Sequence, residues 1–149
     1  MALSGNVKVK KVRKDAVIPR YATDSAAGVD LYACLDSAEI EIIPSKTVLI
    51  PTGISMEIPE GYVGLIYARS GLASKAGLAP ANKVGVIDSD YRGEIMVALH
   101  NHSSEATVVE KGERIAQLVI TPYFRAEFEE VEELNDTERG SGGFGSTGK

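Results

Sequence analysis

Proline and glycine close the apolar runs of this chain before any of them reaches the length of an ordinary helix, and that punctuation limits the folds open to it. Ile40 and Ile42 alternate with Glu39 and Glu41 until Pro44 stops the run. Thr47 to Ile50 stops at Pro51, and Ile54, Met56 and Ile58 alternate with Ser55 and Glu57 as far as Pro59. A period of two marks a half-buried strand, and proline cannot donate to a sheet ladder. Val7 to Val12 alternates with lysines, which commonly guard a sheet edge. Val29 to Ala33 reads as a strand carrying one acid, Asp30. Tyr62 to Tyr67, Ala106 to Val109 and Arg114 to Thr121 read as further strands, separated by glycine-containing turns. Arg69 to Gly77 is the one stretch that could be helical, and Gly71 and Gly77 hold it to a turn or two. Phe128 to Leu134 fits a terminal strand or a frayed helix. Many short strands with turn residues between them predict an antiparallel all-β sandwich or barrel.

Composition narrows the function classes. At 149 residues the chain suits one domain with a real core. Its net charge of -5 argues against general nucleic-acid binding, which needs a basic surface to release counterions. No apolar run approaches a membrane span, and the N-terminus lacks the layout of a signal peptide. Cys34 is the single cysteine, so no internal disulfide or cysteine-based metal site can form. A cytoplasmic setting is expected.

Chemistry concentrates between Gly85 and Glu94. Val84, Val86 and Ile87 read as a short strand, and Asp88 and Asp90 fall where its pattern breaks. Tyr91 follows, and Arg92-Gly93 turns the chain into a second apolar run, Ile95 to Leu99. Two strands joined by a polar glycine-containing loop predict a hairpin-like unit. A carboxylate, a ring and a guanidinium on such a loop offer a base, a platform and an anion contact. They are also residues that turns favour for local reasons.

Elsewhere, Arg69-Ser70-Gly71 offers a guanidinium, a hydroxyl and backbone amides suited to phosphate oxygens, or a plain helix cap. Gln117 lies in an apolar strand and must either satisfy backbone groups or point into a site. Asp30 is open between capping a turn and serving a site. His100 and His102 lack a nearby third ligand and fit an exposed loop better than a metal site. The tail Gly143 to Lys149 matches the start of a phosphate-binding loop, yet it lacks the helix and the Mg²⁺-binding hydroxyl that make such a loop work. What remains is a flexible glycine-rich arm, 139–149, following a 1–138 domain; it has an arginine, Phe144 and many free amides.

Five stretches in order carry a resemblance. They are Ala27 to Leu31, Arg69 to Leu72, Gly85 to Gly93, Gly112 to Leu118 and Arg139 to Gly148. Together they resemble the five motifs of the homotrimeric deoxyuridine triphosphatases, across nearly the whole chain. Ala68 stands where that family usually has proline. The resemblance implies a β-barrel-like jelly roll and a homotrimer with shared active sites. It also implies Mg²⁺-assisted hydrolysis of dUTP to dUMP and pyrophosphate, which keeps uracil out of DNA and supplies dUMP for dTMP synthesis. By the same resemblance Asp88 is the general base and Tyr91 packs under the deoxyribose. Asn82 reads uracil with main-chain groups near Val86 and Ile87. Arg69, Ser70, Gly71 and Gln117 hold phosphates. Arg139, Gly145, Ser146 and Thr147 on the arm grip the distal phosphates, and Phe144 stacks on the base. Asp30 touches Mg²⁺ through water, the ion otherwise resting on the substrate phosphates. Two alternatives remain: a dCTP deaminase or bifunctional relative on the same fold, and a nucleotide-sensing regulator without turnover.

Overall fold

The computed structural model describes residues 5–143. In chain order the elements are β1 (Lys8–Lys11), β2 (Val29–Tyr32), β3 (Glu39–Ile42), β4 (Thr47–Pro51), β5 (Ile54–Glu57), β6 (Tyr62–Tyr67), α1 (Ser70–Ala76), β7 (Leu78–Pro80), β8 (Gly85–Ile87), β9 (Met96–Asn101), β10 (Thr107–Glu110) and β11 (Arg114–Pro122). They form four sheets, ordered β2-β11-β6-β8, β4-β9-β7, β1-β5 and β3-β10. The pairings are antiparallel. The fold is an all-β jelly roll with one short helix among the described residues, and the sheets do not close into a barrel.

Ile42, Ile54, Met56 and Ile58, read from the sequence as the apolar face of alternating strands, are buried in the core, although Ser55 between them is buried as well. Val97 and Leu99 of β9 point inward, as do Ile115 and Leu118 of β11, and they meet Leu31, Ile42, Ile50 and Val109. Burying each Leu or Ile contributes roughly 1.5–3 kcal/mol, so these few strands supply most of the force that closes the sheets on one another. A bulge between Arg114 and Ala116 shifts the register of β11 against β2.

Three expectations are corrected, and one strand is added. The hairpin between Gly85 and Leu99 does not form: β8 pairs with β6, whereas β9 pairs with β4 and β7. The Asp88–Glu94 loop instead crosses from one sheet to another. Ile95, 1% exposed, pins the crossing by donating its N–H to Ile54 O at 2.9 Å and accepting from Thr52 Oγ1 at 2.7 Å. The strand Leu78–Pro80 went unread because a three-residue run ending in proline gives no period. Phe128 to Leu134 is neither strand nor helix, and Phe128 and Leu134 are 98% and 87% exposed. No sheet edge of this chain takes that segment as a strand, and acids three and four apart repel one another in a helix. Finally, Ser70 does not cap α1. Arg69 occupies the N-cap without a side-chain bond, and Ser74 Oγ donates to Ser70 O at 2.6 Å.

Candidate functional site

Two groups of sequence-predicted residues gather on either side of β6. On the β8 side, a cavity of about 280 Å³ is lined by Asn82, Val86, Ile87, Asp88 and Tyr91. Its apolar walls come from Ile66 of β6, from Leu49 and Pro80, and from the run Ile95 to Ala98. The volume is at the lower end of small-molecule sites, room for a nucleoside-sized body. Asn82 brings the one side-chain amide in that lining. It sits in a turn where Lys83 adopts a left-handed φ of 66° and Val84 N donates to Asn82 O at 2.7 Å. Gly85 lets β8 lie close to this turn, since a Cβ there would come within 3.2 Å of Ile66 Cβ and 3.3 Å of Asn82 Nδ2.

The loop that presents Asp88 is held by its own main chain. Tyr91 N donates to Asp88 O at 3.2 Å, and Arg92 Nη1 donates to Ser89 O at 2.7 Å and Tyr91 O at 3.1 Å. The Arg92 guanidinium thus secures the loop, where the sequence had suggested an anion contact. Asp88 and Val86 also border a second, more open groove that includes Glu57, Arg92 and Arg125. Asp88 therefore stands on the ridge between cavity and groove, able to reach a ligand leaving the cavity.

On the β11 side lies a polar cluster. Asp30 and Gln117 are directly paired across β2 and β11, and Gln117 is paired with Tyr67 of β6. Arg69 Nε donates to Asp30 Oδ1 at 2.8 Å, and Arg114 Nη1 donates to Asp30 Oδ2 at 3.4 Å. Gln117 Nε2 donates to Ala68 O at 2.9 Å, fixing the residue before Arg69. Asp30 is therefore not a turn cap; it sits within a strand and holds two guanidiniums. Gln117 takes the backbone-satisfying role. Ser70 and Gly71 begin α1 and are exposed. None of Asp30, Arg69, Ser70, Gly71 or Gln117 lines the cavity that Asp88 borders.

Arg139 lines neither the cavity nor the groove, and its Nε donates to Gly142 O at 2.7 Å. Phe144, Gly145, Ser146 and Thr147 lie outside the described residues. His100 is on β9, where its Nδ1 shares a 2.9 Å hydrogen bond with Thr47 Oγ1. Burial, with Lys83 and His100 nearby, pushes the His102 imidazole down from its ordinary value. Among the described residues, no three His, Cys, Asp or Glu side chains are grouped to hold a metal. Both Asp30 oxygens already accept from arginines. Among the described residues of one chain, no set of side chains therefore fits a resident Mg²⁺ site by itself. No helix of the described residues is long and apolar enough to cross a membrane.

Arg114 was not singled out from sequence, although it lies in the Gly112–Leu118 stretch; three residues from Gln117 on a strand, it would be expected on the opposite face but for the register shift between Arg114 and Ala116. The cavity walls from β4, β7 and β9 carried no signal at all, being ordinary core-type residues.

With this geometry in place, the comparisons decide the family. The family model described as dUTPase matches residues 14–148. The chain belongs to the dUTPase family. It is 58% identical over 145 residues to the deoxyuridine 5'-triphosphate nucleotidohydrolase of Desulfitobacterium hafniense, covering 95% of each chain. It is 55% identical to the protein of that name from Nautilia profundicola, over 96% of this chain and 99% of that one. Among solved structures, the Staphylococcus bacteriophage 80alpha dUTPase with dUpNHpp superposes with a TM-score of 0.88 at 32% identity, covering 98% of this chain and 100% of that one. A mutant dUTPase of S. aureus phage phi11, described with a structural Mg(II) ion, gives a TM-score of 0.77 at 26% identity, over 87% of this chain and 98% of that one.

Proposed function

We propose that the protein hydrolyses dUTP to dUMP and pyrophosphate, keeping uracil out of DNA and supplying dUMP for dTMP synthesis. The observation that carries this is the cavity in which one amide (Asn82), one carboxylate (Asp88) and one exposed ring (Tyr91) converge on apolar walls. An amide beside main-chain groups of Val86 and Ile87 suits the uracil edge. The Tyr91 ring suits the deoxyribose face, where crowding leaves no room for a 2′-hydroxyl. The family relationship and the 80alpha enzyme with dUpNHpp support the same assignment.

In the reaction a water oxygen bonds to the α-phosphorus while Asp88 orients that water and takes its proton. The bond from the α-phosphorus to the bridging oxygen breaks, and its electron pair leaves with pyrophosphate. A positioned base of this kind contributes about 10²–10⁴-fold. Arg69, Ser70, Gly71 and Gln117 hold phosphates; Asp30 grips Arg69, and Gln117 keeps the Arg69 segment in place with one amide N–H on Ala68 O, its second N–H serving the phosphates. Guanidinium and amide donors aimed at the leaving phosphates act where charge builds up.

In a single chain these phosphate-holding residues do not line the cavity bordered by Asp88. That separation is what a shared site needs: one subunit brings the Asp88–Tyr91 cavity, and a neighbour brings the Arg69–Gln117 cluster. The reading is therefore a homotrimer in which Arg139 and the residues after it, Phe144 to Thr147 included, close over the nucleotide. Mg²⁺ would be carried by the triphosphate and water and would offset the phosphate charge; the chain net charge is -5. No step here depends on a protein ligand to it.

The test is a pyrophosphate-release assay with dUTP, dTTP, dCTP and UTP in the presence of Mg²⁺. Release from dUTP far above the other three is expected. Ammonia release from dCTP, or dUTP binding without turnover, would overturn the reading in favour of a deaminase or a sensor respectively.

A further inference from the structure

Three segments far apart in sequence are tied together at the base of the Tyr91 loop. Glu94 Oε1 accepts from Arg13 Nε at 2.7 Å and from the Gly53 main-chain N–H at 2.9 Å, and its Oε2 accepts from Arg13 Nη2 at 3.4 Å. The side chains are 32% exposed for Arg13 and 22% for Glu94. A half-buried carboxylate with three N–H donors is more than the surface pairs of this protein, such as the 78% and 48% exposed Lys8–Glu57. Gly53 completes the knot from the other side. Its carbonyl accepts from Val12 N at 2.8 Å and Arg13 N at 3.3 Å. Its φ of 72° is left-handed, and a Cβ there would come within 2.7 Å of Ala16 Cβ and 2.8 Å of Cys34 Sγ. Only glycine fits, so the anchor cannot shift by repacking.

Tyr91 depends on this knot. Its ring is exposed, not packed into the core, and its hydroxyl donates to the main-chain oxygen of Glu94 at 2.9 Å. The ring lies against Gly93: a Cβ on Gly93 would strike the phenol oxygen and sit 2.5 Å from Cζ. The ring is thus located by residues 93 and 94, and residue 94 is located by Arg13 and Gly53.

We infer that the Arg13–Glu94–Gly53 clamp fixes the position of the Tyr91 ring and through it the preference for deoxyribose over ribose nucleotides, Arg13 and Glu94 acting as positioning residues. The inference rests on the reading of Tyr91 as the sugar platform given above. A ring that can move away from the sugar contacts dUTP less well and no longer excludes a 2′-hydroxyl. The discrimination available to steric crowding of this kind is about 10–200-fold, so loosening the clamp should forfeit about tenfold of it.

The test compares Arg13→Met, Arg13→Lys and Glu94→Gln with wild type and with Lys8→Met, which removes a cation on the same strand region. Steady-state constants for dUTP and UTP are measured at a temperature where melting curves show all variants folded. Expected for Arg13→Met is a fall of about tenfold in the ratio of kcat/KM for dUTP over UTP. KM for dUTP should rise more than kcat falls, since the ring packs on the sugar in the ground state too. Arg13→Lys should recover part of the ratio by restoring one charged donor, Glu94→Gln should lie between, and Lys8→Met should match wild type. The signals of the Tyr91 ring in isotope-labelled protein, assigned with Tyr91→Phe, should shift in Arg13→Met without nucleotide. Wild-type activity on dUTP with a ratio unchanged within twofold in Arg13→Met and Glu94→Gln would overturn the clamp alone. A wild type inert toward dUTP would overturn the functional reading and the selectivity claim with it.

Discussion

Replacing Asn101 by alanine should be among the more destabilising single changes in this chain. The side chain is fully buried at the end of β9 and meets its whole hydrogen-bonding capacity. Nδ2 donates to Ile42 O and to Glu105 O, each at 2.7 Å. Oδ1 accepts from Ser103 N at 2.9 Å and from Ser103 Oγ at 2.7 Å. One amide therefore joins β9 to the end of β3 and to the loop after β9. Truncation does not orphan every partner, because the one Ser103 hydroxyl hydrogen, which lies within reach of both Asn101 Oδ1 and Glu105 O, can then be given wholly to Glu105 O at 2.8 Å. The Ser103 N–H and the side-chain-facing lone pair of Ile42 O do lose theirs. At about 1–3 kcal/mol for each group stranded out of water, with Ser103 only half-buried, the loss is about 3 kcal/mol. For a chain of this size that corresponds to a Tm lower by about 10 °C. Ser103→Ala is the matched comparison. It removes the hydroxyl but leaves the Ser103 N–H bonded, and should cost about 1 kcal/mol. The assay is thermal and urea unfolding of both variants at one protein concentration. An Asn101→Ala protein no less stable than Ser103→Ala would refute the argument that the amide network holds these elements together. Activity at 25 °C should survive, since no member of the network lines the cavity.

Three further outcomes are expected. Asp88→Asn should keep dUTP binding by calorimetry while kcat falls about 10²–10⁴-fold, and Asp90→Asn should be much milder; equal losses would show that the wrong acid was chosen. Removing 139–149 should leave melting temperature and assembly unchanged while dUTP turnover drops severely, and a tailless protein with full kcat/KM would deny the segment any part in the site. Burial pushes the Cys34 thiol up, against the pull of Arg13 and Lys111, so the folded state holds that proton more tightly than the unfolded one. Its contribution is complete below the ordinary thiol range, about 8.5, and is lost as pH rises through the raised folded value. Native protein at pH 8 should react with a disulfide reagent far more slowly than denatured protein, and equal rates would contradict the burial.

How much of this was legible in the chain depended on the range of each interaction. Strands such as Ile54–Glu57 and Tyr62–Tyr67 were readable because alternation and proline stops act between neighbours. So was the one short helix among the described residues, which stops at the left-handed Gly77, although Gly71, expected to limit it, lies inside it. The Asp88–Tyr91 loop was readable as a chemical unit because its residues are adjacent, and the five ordered stretches pointed to the family that the comparisons then showed. By itself the sequence therefore pointed to the all-β class and to the loop that borders the cavity.

Pairing was decided only in three dimensions. Nothing local tells β8 to leave Ile95–Leu99 and pair with β6, because a strand edge is satisfied by whichever partner buries the better face. The same holds for Phe128 to Leu134, whose apolar residues look like an element but find no edge in this chain. Asp30 and Arg69 were each readable as polar residues, yet that one grips the other follows only from the placement of β2, β11 and β6 side by side. Arg13 lay unnoticed in a run of lysines, and its partner Glu94 is 81 positions away. A salt bridge depends on distance in space, and chain folding sets that distance without leaving a periodic mark on either residue.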